Sequence, residues 1–269
     1  MIKLIAEIGI NHNGDINLAK KLIDEAAKAG FDYVKFQKRN PDVCVPENQK
    51  SKLRSTPWGT MSYIDYKHRI EFGEKEYNEI DLYCTTKGIN WFASVWDTDS
   101  VDFMSNFTYI SKIPSALITN EKLCQYARKK FDTLIISTGM STEDQIERAV
   151  DYTNPDVIMH TNSTYPSPIE ELNLGYIHWL KKYGVDVGYS GHEYGLTTTF
   201  ATAAMGVTWI ERHITLDRTM WGSDHLASVE PAGMTKLVKG IRDIEKAMLG
   251  YGPRQLLGSE LEKSKSLRG

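Results

Sequence analysis

The sequence predicts an α/β fold, a (β/α)8 TIM barrel in which eight parallel strands close into a ring. Short apolar runs alternate with helical patterns along the whole chain, which is typical of βα units. The length of 269 residues fits the usual size of this barrel, about 250 residues. An open doubly wound sheet is the alternative, but neither GxGxxG nor GxxxxGK[ST] follows any predicted strand.

Eight apolar runs are the candidate barrel strands. Each is short, and each is bounded by turn residues or by a helical pattern. In chain order they cover residues 2–9, 33–38, 91–96, 109–114, 134–138, 157–162, 186–190 and 209–215.

Helical patterns lie between these runs, and several end at a glycine. Apolar residues at helical spacing follow the first run and stop at Gly30. Residues 74–87 form a second helical pattern before Gly88, and residues 172–183 form another before Gly184. A last helix is expected over residues 232–249.

The connection between strand two and its helix, residues 39–73, is much longer than the others. It contains three prolines and several aromatic residues, and long loops are usually functional or disordered. We therefore expect a partly ordered lid here. We expect residues 1–269 to form one barrel domain without a second domain.

The composition excludes several classes of protein. Hydrophobic residues make up 41% and charged residues 25%, as in ordinary globular proteins. With 32 basic and 35 acidic residues, the net charge of −3 argues against a nucleic-acid partner. No apolar run is long enough to cross a membrane, and no signal peptide is evident. The three cysteines Cys44, Cys84 and Cys124 form no disulfide framework, so we expect a cytoplasmic protein.

Two histidines lie at the ends of neighbouring strands. Alternation along strand eight places Glu211 and His213 on one face, while strand seven ends with Ser190 and His192. Because parallel strands end at the same rim of a barrel, the two histidines are candidate ligands of one divalent metal ion. The alternative is that each histidine is structural.

Two lysines fall within predicted buried strands, Lys35 beside Gln37 and Lys112 just before Ser115. A buried lysine is costly unless an anion pairs with it. Glu7 and Glu211 are candidate partners, and a bound anionic ligand is another. Internal salt bridges alone remain the structural alternative, and a Schiff-base lysine is a rival mechanism.

Small polar residues follow the other strands. With the two lysines they form a plausible phosphate site, although such residues also cap helices. They are Ser137, Asn162, Ser163 and Ser190.

Seven motifs, in order, resemble the sialic acid synthase family, which includes the N-acetylneuraminate, legionaminic acid and pseudaminic acid synthases. They are AEIGINHNG (6–14), VKFQ (34–37), STGMS (137–141), TYPSP (164–168), GYSGHEYG (188–195), ERHITLD (211–217) and GSDHLASVEP (222–231). The resemblance implies a metal-dependent transferase that condenses phosphoenolpyruvate with an N-acetylmannosamine-type sugar to give a nine-carbon 2-keto acid and phosphate.

The resemblance also implies roles for individual residues. His192 and His213 match the metal ligands, with manganese the first choice and magnesium, cobalt or zinc possible. The residues that match the phosphoenolpyruvate pocket are Lys35, Lys112, Ser115, Ser137, Ser163 and Ser190. Those that match the sugar-contacting set are Glu7, Gln37, Tyr165, Glu211 and Asp224. We assign catalytic roles to Glu7, Lys35, Lys112 and Glu211.

Two features depart from the family pattern. Many relatives carry an acidic residue two positions after the strand-four serine, where this chain has Leu117. Many also have a C-terminal antifreeze-like domain that supplies an arginine to the partner's sugar site, and this sequence lacks that domain. A homodimer or a separate antifreeze-like partner is one way to complete the site. Arg54 and Arg69 in the 39–73 segment are candidates to contact the sugar instead.

Two other functions stay open. One is a barrel aldolase that uses Lys35 or Lys112 as a Schiff base. The other is a sugar-binding barrel that has lost catalysis with the carboxylate at position 117.

Overall fold

Eight parallel strands close into a barrel in the computed structural model, which describes residues 1–250 and 252–268. The barrel strands are β1 (Lys3–Gly9), β2 (Tyr33–Lys38), β5 (Asn90–Val95), β6 (Ile110–Ile113), β7 (Thr133–Ser137), β8 (Val157–His160), β9 (Asp186–Gly191) and β10 (Trp209–His213). Each strand pairs in parallel with its neighbour in the chain, and β10 pairs with β1. The predicted barrel is confirmed.

The helices surround the barrel. They are α1 (Ile16–Ala29), α2 (Pro41–Cys44), α3 (Glu47–Lys50), α4 (Tyr63–Ile70), α5 (Glu74–Lys87), α6 (Thr98–Met104), α7 (Glu121–Arg128), α8 (Glu143–Thr153), α9 (Tyr176–Leu180), α10 (Thr197–Ala204), α11 (Pro231–Ala247) and α12 (Gly258–Arg268). Among the described residues, no helix combines the length and the apolar character needed to cross a membrane.

Local sequence explains the helix ends. The carboxylate of Asp15 caps α1 by accepting a hydrogen bond from the backbone N–H of Asn17 at 2.8 Å. Gly30 ends the same helix with φ +91°, a conformation that glycine adopts readily. The prediction of a last helix over 232–249 was incomplete, because α12 follows α11. The α12 sequence has only two leucines, Leu261 and Leu267, and buries no residue, so its pattern gave no apolar periodicity.

The 39–73 segment differs from the expected, partly ordered loop. It contains α2, α3, α4 and a hairpin formed by β3 (Leu53–Thr56) and β4 (Gly59–Ser62). Asn40 caps α2 through a 3.1 Å hydrogen bond from the N–H of Asp42, and Gly59 turns the hairpin with φ +103°. The segment packs on the loop after β10, where the Tyr66 and Trp221 ring centroids are 5.3 Å apart.

Side chains inside the barrel change from apolar to polar along the strands. The lower layer is a buried apolar cluster of Ile5, Phe92, Ile110, Ile135, Val157, Met159 and Trp209. Because side chains alternate with a period of two, the next interior position lies two residues further along each strand. On five strands that position is polar, namely Glu7, Ser94, Lys112, Ser137 and Glu211. The fold therefore places a polar layer at the C-terminal ends of the strands.

Candidate active site

A cavity of about 260 Å³ opens above this polar layer. We call it the barrel-mouth cavity. Its lining consists of Glu7, Lys35, Gln37, Ser94, Trp96, Lys112, Pro114, Ser115, Ala116, Ser137, Met140, Thr161, Ser163, Tyr165, Ser190, His192, Glu211 and His213.

Four buried charges form the floor of the barrel-mouth cavity. Lys35 Nζ lies 2.7 Å from Glu7 Oε2 and 3.6 Å from Glu211 Oε1. Lys112 Nζ donates to both carboxylate oxygens of Glu211, at 2.9 and 3.0 Å. All four side chains are at most 4% exposed. Two ammonium groups and two carboxylates make the floor formally neutral before any ligand binds.

Burial and the neighbouring charges shift the pKa values of these groups in different directions. Burial opposes the ionisation of Glu211, but Lys112 and Lys35 outweigh it and hold its pKa below the usual range. Burial raises the pKa of Glu7, and Lys35 offsets only part of that effect. Burial lowers the pKa of Lys112, against the opposing charge of Glu211. An arrangement of strongly perturbed groups in a cleft is typical of a functional site.

His192 and His213 stand side by side on the wall of the cavity, with ring centroids 5.3 Å apart. Nδ1 of His192 lies 2.6 Å from the backbone carbonyl oxygen of Asn162. A carbonyl oxygen only accepts, so Nδ1 donates and the lone pair remains on Nε2. Burial, and then the nearby His213, lower the pKa of His192 to about 3, so the ring is neutral near pH 7.

These two histidines are the residues that could hold a metal ion. Nδ1 of His213 is buried and has no hydrogen-bond partner among the described residues; its nearest carboxylate oxygen, Asp224 Oδ2, is 3.8 Å away. His192 has the usual arrangement of a histidine metal ligand, in which the nitrogen that does not bind the metal donates to a carbonyl oxygen. Within residues 1–250 and 252–268, no group of three or more His, Cys, Asp and Glu side chains is placed to hold a metal alone. A metal ion bound there would need water or a substrate to complete its coordination.

Hydroxyl groups also line the barrel-mouth cavity, at the C-terminal ends of β6, β7 and β8. Ser115 Oγ accepts a hydrogen bond from the N–H of Gly139 at 3.2 Å. Ser137 Oγ is buried and lacks a partner within the described part of the chain. Ser163 Oγ lies so close to Gly139 that a Cβ there would clash with it. These groups and the two lysines together suit a ligand rich in acceptor oxygens.

Two residues predicted for the site lie outside the cavity lining. The Asn162 side chain organises its own loop, because Oδ1 accepts from the N–H of Thr164 at 2.9 Å and Nδ2 donates to the carbonyl of Glu171. Only its backbone carbonyl reaches the site, through His192. Asp224 lies behind His213 instead of in the lining. The remaining predicted residues all line the barrel-mouth cavity.

Sequence reasoning missed Ser94 and Trp96. Ser94 Oγ accepts a hydrogen bond from Lys35 Nζ at 2.7 Å, and Trp96 forms part of the cavity wall. Ser94 could have been found from the sequence, because it is a polar residue within an apolar strand. The same criterion identified Lys35 and Lys112. The proposed Arg54 and Arg69 are both exposed and stack on aromatic rings of their own segment, Tyr63 and Trp58.

Comparisons with known proteins agree with this geometry. The chain is 37% identical to the N,N'-diacetyllegionaminic acid synthase of Campylobacter jejuni, over 96% of this chain and 80% of that protein. It is 36% identical to the human N-acetylneuraminate-9-phosphate synthase, over 98% of this chain and 76% of that protein.

A solved structure is similar as well. The N-acetylneuraminic acid synthetase of Leptospira borgpetersenii, crystallised with citrate, is 34% identical and superposes with a TM-score of 0.86. The match covers 99% of this chain and 92% of that one. The sequence profile of the NeuB family matches residues 22–252. With most of the chain matched in sequence and in structure, this protein belongs to the NeuB family.

Proposed function

We propose that this protein is a synthase that condenses phosphoenolpyruvate with an N-acetylmannosamine-type amino sugar and releases phosphate. The observation that carries the proposal is the pair of buried lysines, Lys35 and Lys112, beside the serine hydroxyls and two buried histidines. The relatives named above are synthases of acids of this type. Phosphoenolpyruvate supplies the negative charge and acceptor oxygens that such a cavity binds.

The charge balance supports a divalent metal ion in the same cavity. The floor is neutral, so a bound phosphoenolpyruvate would leave excess negative charge unless a cation accompanied it. His192 and His213 would hold that ion. Imidazole nitrogens with oxygen ligands suit Mn²⁺, our first choice, and also Mg²⁺, Co²⁺ or Zn²⁺. When bound, the ion supplies Lewis-acid polarisation of the sugar aldehyde.

The side chains of the barrel-mouth cavity bind the two reactants and transfer a proton from water to the aldehyde oxygen. C3 of phosphoenolpyruvate forms a bond to the aldehyde carbon of the open-chain sugar, water adds to C2, and the C2–O bond to phosphate breaks. The added water gives up both of its protons: one reaches the aldehyde oxygen through a carboxylate that exchanges a proton, and the other leaves with the phosphate as the C2 hydroxyl becomes the 2-keto group. Glu7 and Glu211 are the carboxylates that line the cavity. Lys35 and Lys112 hold the anionic substrate.

The same contacts argue against a Schiff-base aldolase. Burial disfavours the ammonium of Lys35, but Glu211 and Glu7 outweigh it and raise the pKa of Lys35, whereas a Schiff base requires the neutral amine. Lys112 Nζ is held by two hydrogen bonds to the carboxylate of Glu211. The free cysteines Cys44, Cys84 and Cys124 support a reducing, cytoplasmic location as part of the proposal.

Phosphate release tests the proposal directly. We expect release from phosphoenolpyruvate that requires both an N-acetylated mannosamine-type sugar and Mn²⁺, with no release after treatment with a chelator. Trapping with borohydride should leave the chain unmodified. Release that survives chelation, or a borohydride adduct at Lys35 or Lys112, would contradict the mechanism.

A second prediction concerns Gly139. A Cβ at this position would lie 2.9 Å from Ser115 Oγ and closer still to Ser163 Oγ. We expect Gly139→Ala to displace both hydroxyls and to raise the KM for phosphoenolpyruvate about 10-fold. Gly175→Ala is the matched control, because nothing lies within 4 Å of a Cβ there. An unchanged KM in Gly139→Ala would show that the hydroxyls of Ser115 and Ser163 do not contribute to binding phosphoenolpyruvate.

A further inference from the structure

Two buried cations lie just outside the barrel-mouth cavity. Arg39 and Lys67 are 8% and 7% exposed, and both line an adjoining cavity of about 680 Å³. We call this the side cavity. The guanidinium of Arg39 stacks on Trp96, with its carbon 4.1 Å from the ring centroid. Lys67 Nζ lies 5.3 Å from the ring centroids of Tyr63 and Tyr66.

Neither cation forms a salt bridge with a carboxylate of residues 1–250 and 252–268. Nε of Arg39 has no hydrogen-bond partner there, although its NH2 group donates to Gln37. Burial, and then the nearby Arg39, lower the pKa of Lys67 to about 8. Two unpaired buried cations are costly, so the arrangement indicates that an anion accompanies them.

The nearby acids are already engaged. Glu71 pairs with Lys38 at 3.0 Å and accepts the backbone N–H of Arg39. Asp97 lines the side cavity, but its carboxylate caps α6 by accepting from the N–H of Ser100 at 2.7 Å. Asp224 lies near Lys67 as well as His213, but no salt bridge joins it to Lys67. The side cavity therefore keeps uncompensated positive charge.

The side cavity adjoins the barrel-mouth cavity, because Trp96 and Ala116 line both. Alternation along β2 points Lys35 and Gln37 to the same side, and Arg39, which follows the strand, donates a hydrogen bond to the Gln37 side chain. Because Gln37 lines the barrel-mouth cavity and accepts a hydrogen bond from Arg39, a sugar whose aldehyde reacts near Lys35 would bring its other end past Gln37 to Arg39. That end of the sugar is where an anion would meet the two cations.

We propose that Arg39 and Lys67 form an anion site for a phosphate at the end of the amino sugar remote from its aldehyde, so that the sugar substrate is phosphorylated. This inference rests on the proposed function. A phosphate dianion would balance both buried cations, and an arginine beside a lysine is a usual phosphate-binding pair.

The test compares N-acetylmannosamine 6-phosphate with N-acetylmannosamine. For the wild-type protein, we expect kcat/KM to be about 10- to 100-fold higher with the phosphorylated sugar, as expected for hydrogen bonds to charged groups. Lys67→Met should lower this preference about 10-fold or more, and Lys67→Arg should restore part of it. Lys52→Met is the matched control, because Lys52 is an exposed lysine of the same segment. It should keep the wild-type preference.

Calorimetric binding of the two sugars separates this inference from the proposed function. Tighter binding of the phosphorylated sugar, weakened in Lys67→Met, supports the anion site even if neither sugar leads to phosphate release, an outcome that overturns the proposed function alone. Equal binding of the two sugars by the wild-type protein overturns the anion site, whether or not turnover is seen. So does a preference that Lys67→Met and Lys52→Met retain equally.

Discussion

Glu211→Gln is expected to lower kcat at least about 10³-fold and to destabilise the ligand-free protein by about 3–5 kcal/mol. Glu211 accepts two hydrogen bonds from Lys112 and one from Ser190 at 3.1 Å, and it lies 3.6 Å from Lys35 Nζ. The amide removes one of two negative charges beside two buried ammonium groups, so the floor of the barrel-mouth cavity gains an uncompensated positive charge. Phosphate release measures the first effect, and urea unfolding measures the second.

Phosphoenolpyruvate should reduce the loss of stability in Glu211→Gln. The bound anion supplies part of the missing negative charge, so the difference from the wild-type protein should shrink as the ligand is added. Glu193→Gln is the matched control. Glu193 is equally buried and pairs with Arg212 at 3.1 Å, but it does not line the cavity. Its stability loss should not respond to the ligand. Turnover of Glu211→Gln within 10-fold of the wild-type rate would show that the floor carboxylate is dispensable.

The barrel and its polar layer could be predicted because both follow from periodicity. Apolar runs alternating with helices indicate the ring of strands, and the period of two places Lys35 with Gln37 and Glu211 with His213. The same rule fails where a strand has ended. Asn162 lies beyond β8, where its side chain bonds within the loop, so strand alternation no longer decides which way it points.

The cations at the barrel mouth could not be predicted because their burial depends on tertiary packing. Lys67 lies on the short helix α4 of the 39–73 segment and is followed by two more basic residues, His68 and Arg69. Only the packing of α4 within its own segment and on the loop after β10 buries Lys67 and leaves Arg69 exposed on Trp58. The same packing exposes Arg54, which the sequence favoured as a sugar contact. Segments without strong periodicity carry little information about which side chain faces inward.

His192→Ala and His213→Ala are each expected to weaken Mn²⁺ binding by more than about 100-fold and to abolish metal-dependent phosphate release. Each ring contributes one nitrogen, and no third protein side chain of the described residues is placed to replace it. Calorimetric titration of the chelator-treated protein with Mn²⁺ measures the affinity. His160→Ala is the control, because His160 is a buried histidine on the neighbouring strand β8 that does not line the barrel-mouth cavity, and its Nε2 bonds to the carbonyl of Leu172 at 2.7 Å.

The affinity for a metal ion held by two imidazoles should also depend on whether phosphoenolpyruvate is bound. Because water or substrate must complete the coordination, phosphoenolpyruvate should tighten Mn²⁺ binding, and by linkage Mn²⁺ should tighten phosphoenolpyruvate binding by the same factor. The charge balance predicts the same mutual tightening. Because the floor of lysines and glutamates is neutral, a bound cation and a bound anion compensate each other's charge. Two titrations, each with and without the other ligand, measure that factor. Equal affinities in the two titrations would mean that the metal and the anion occupy independent sites, and the histidines would then have a structural role.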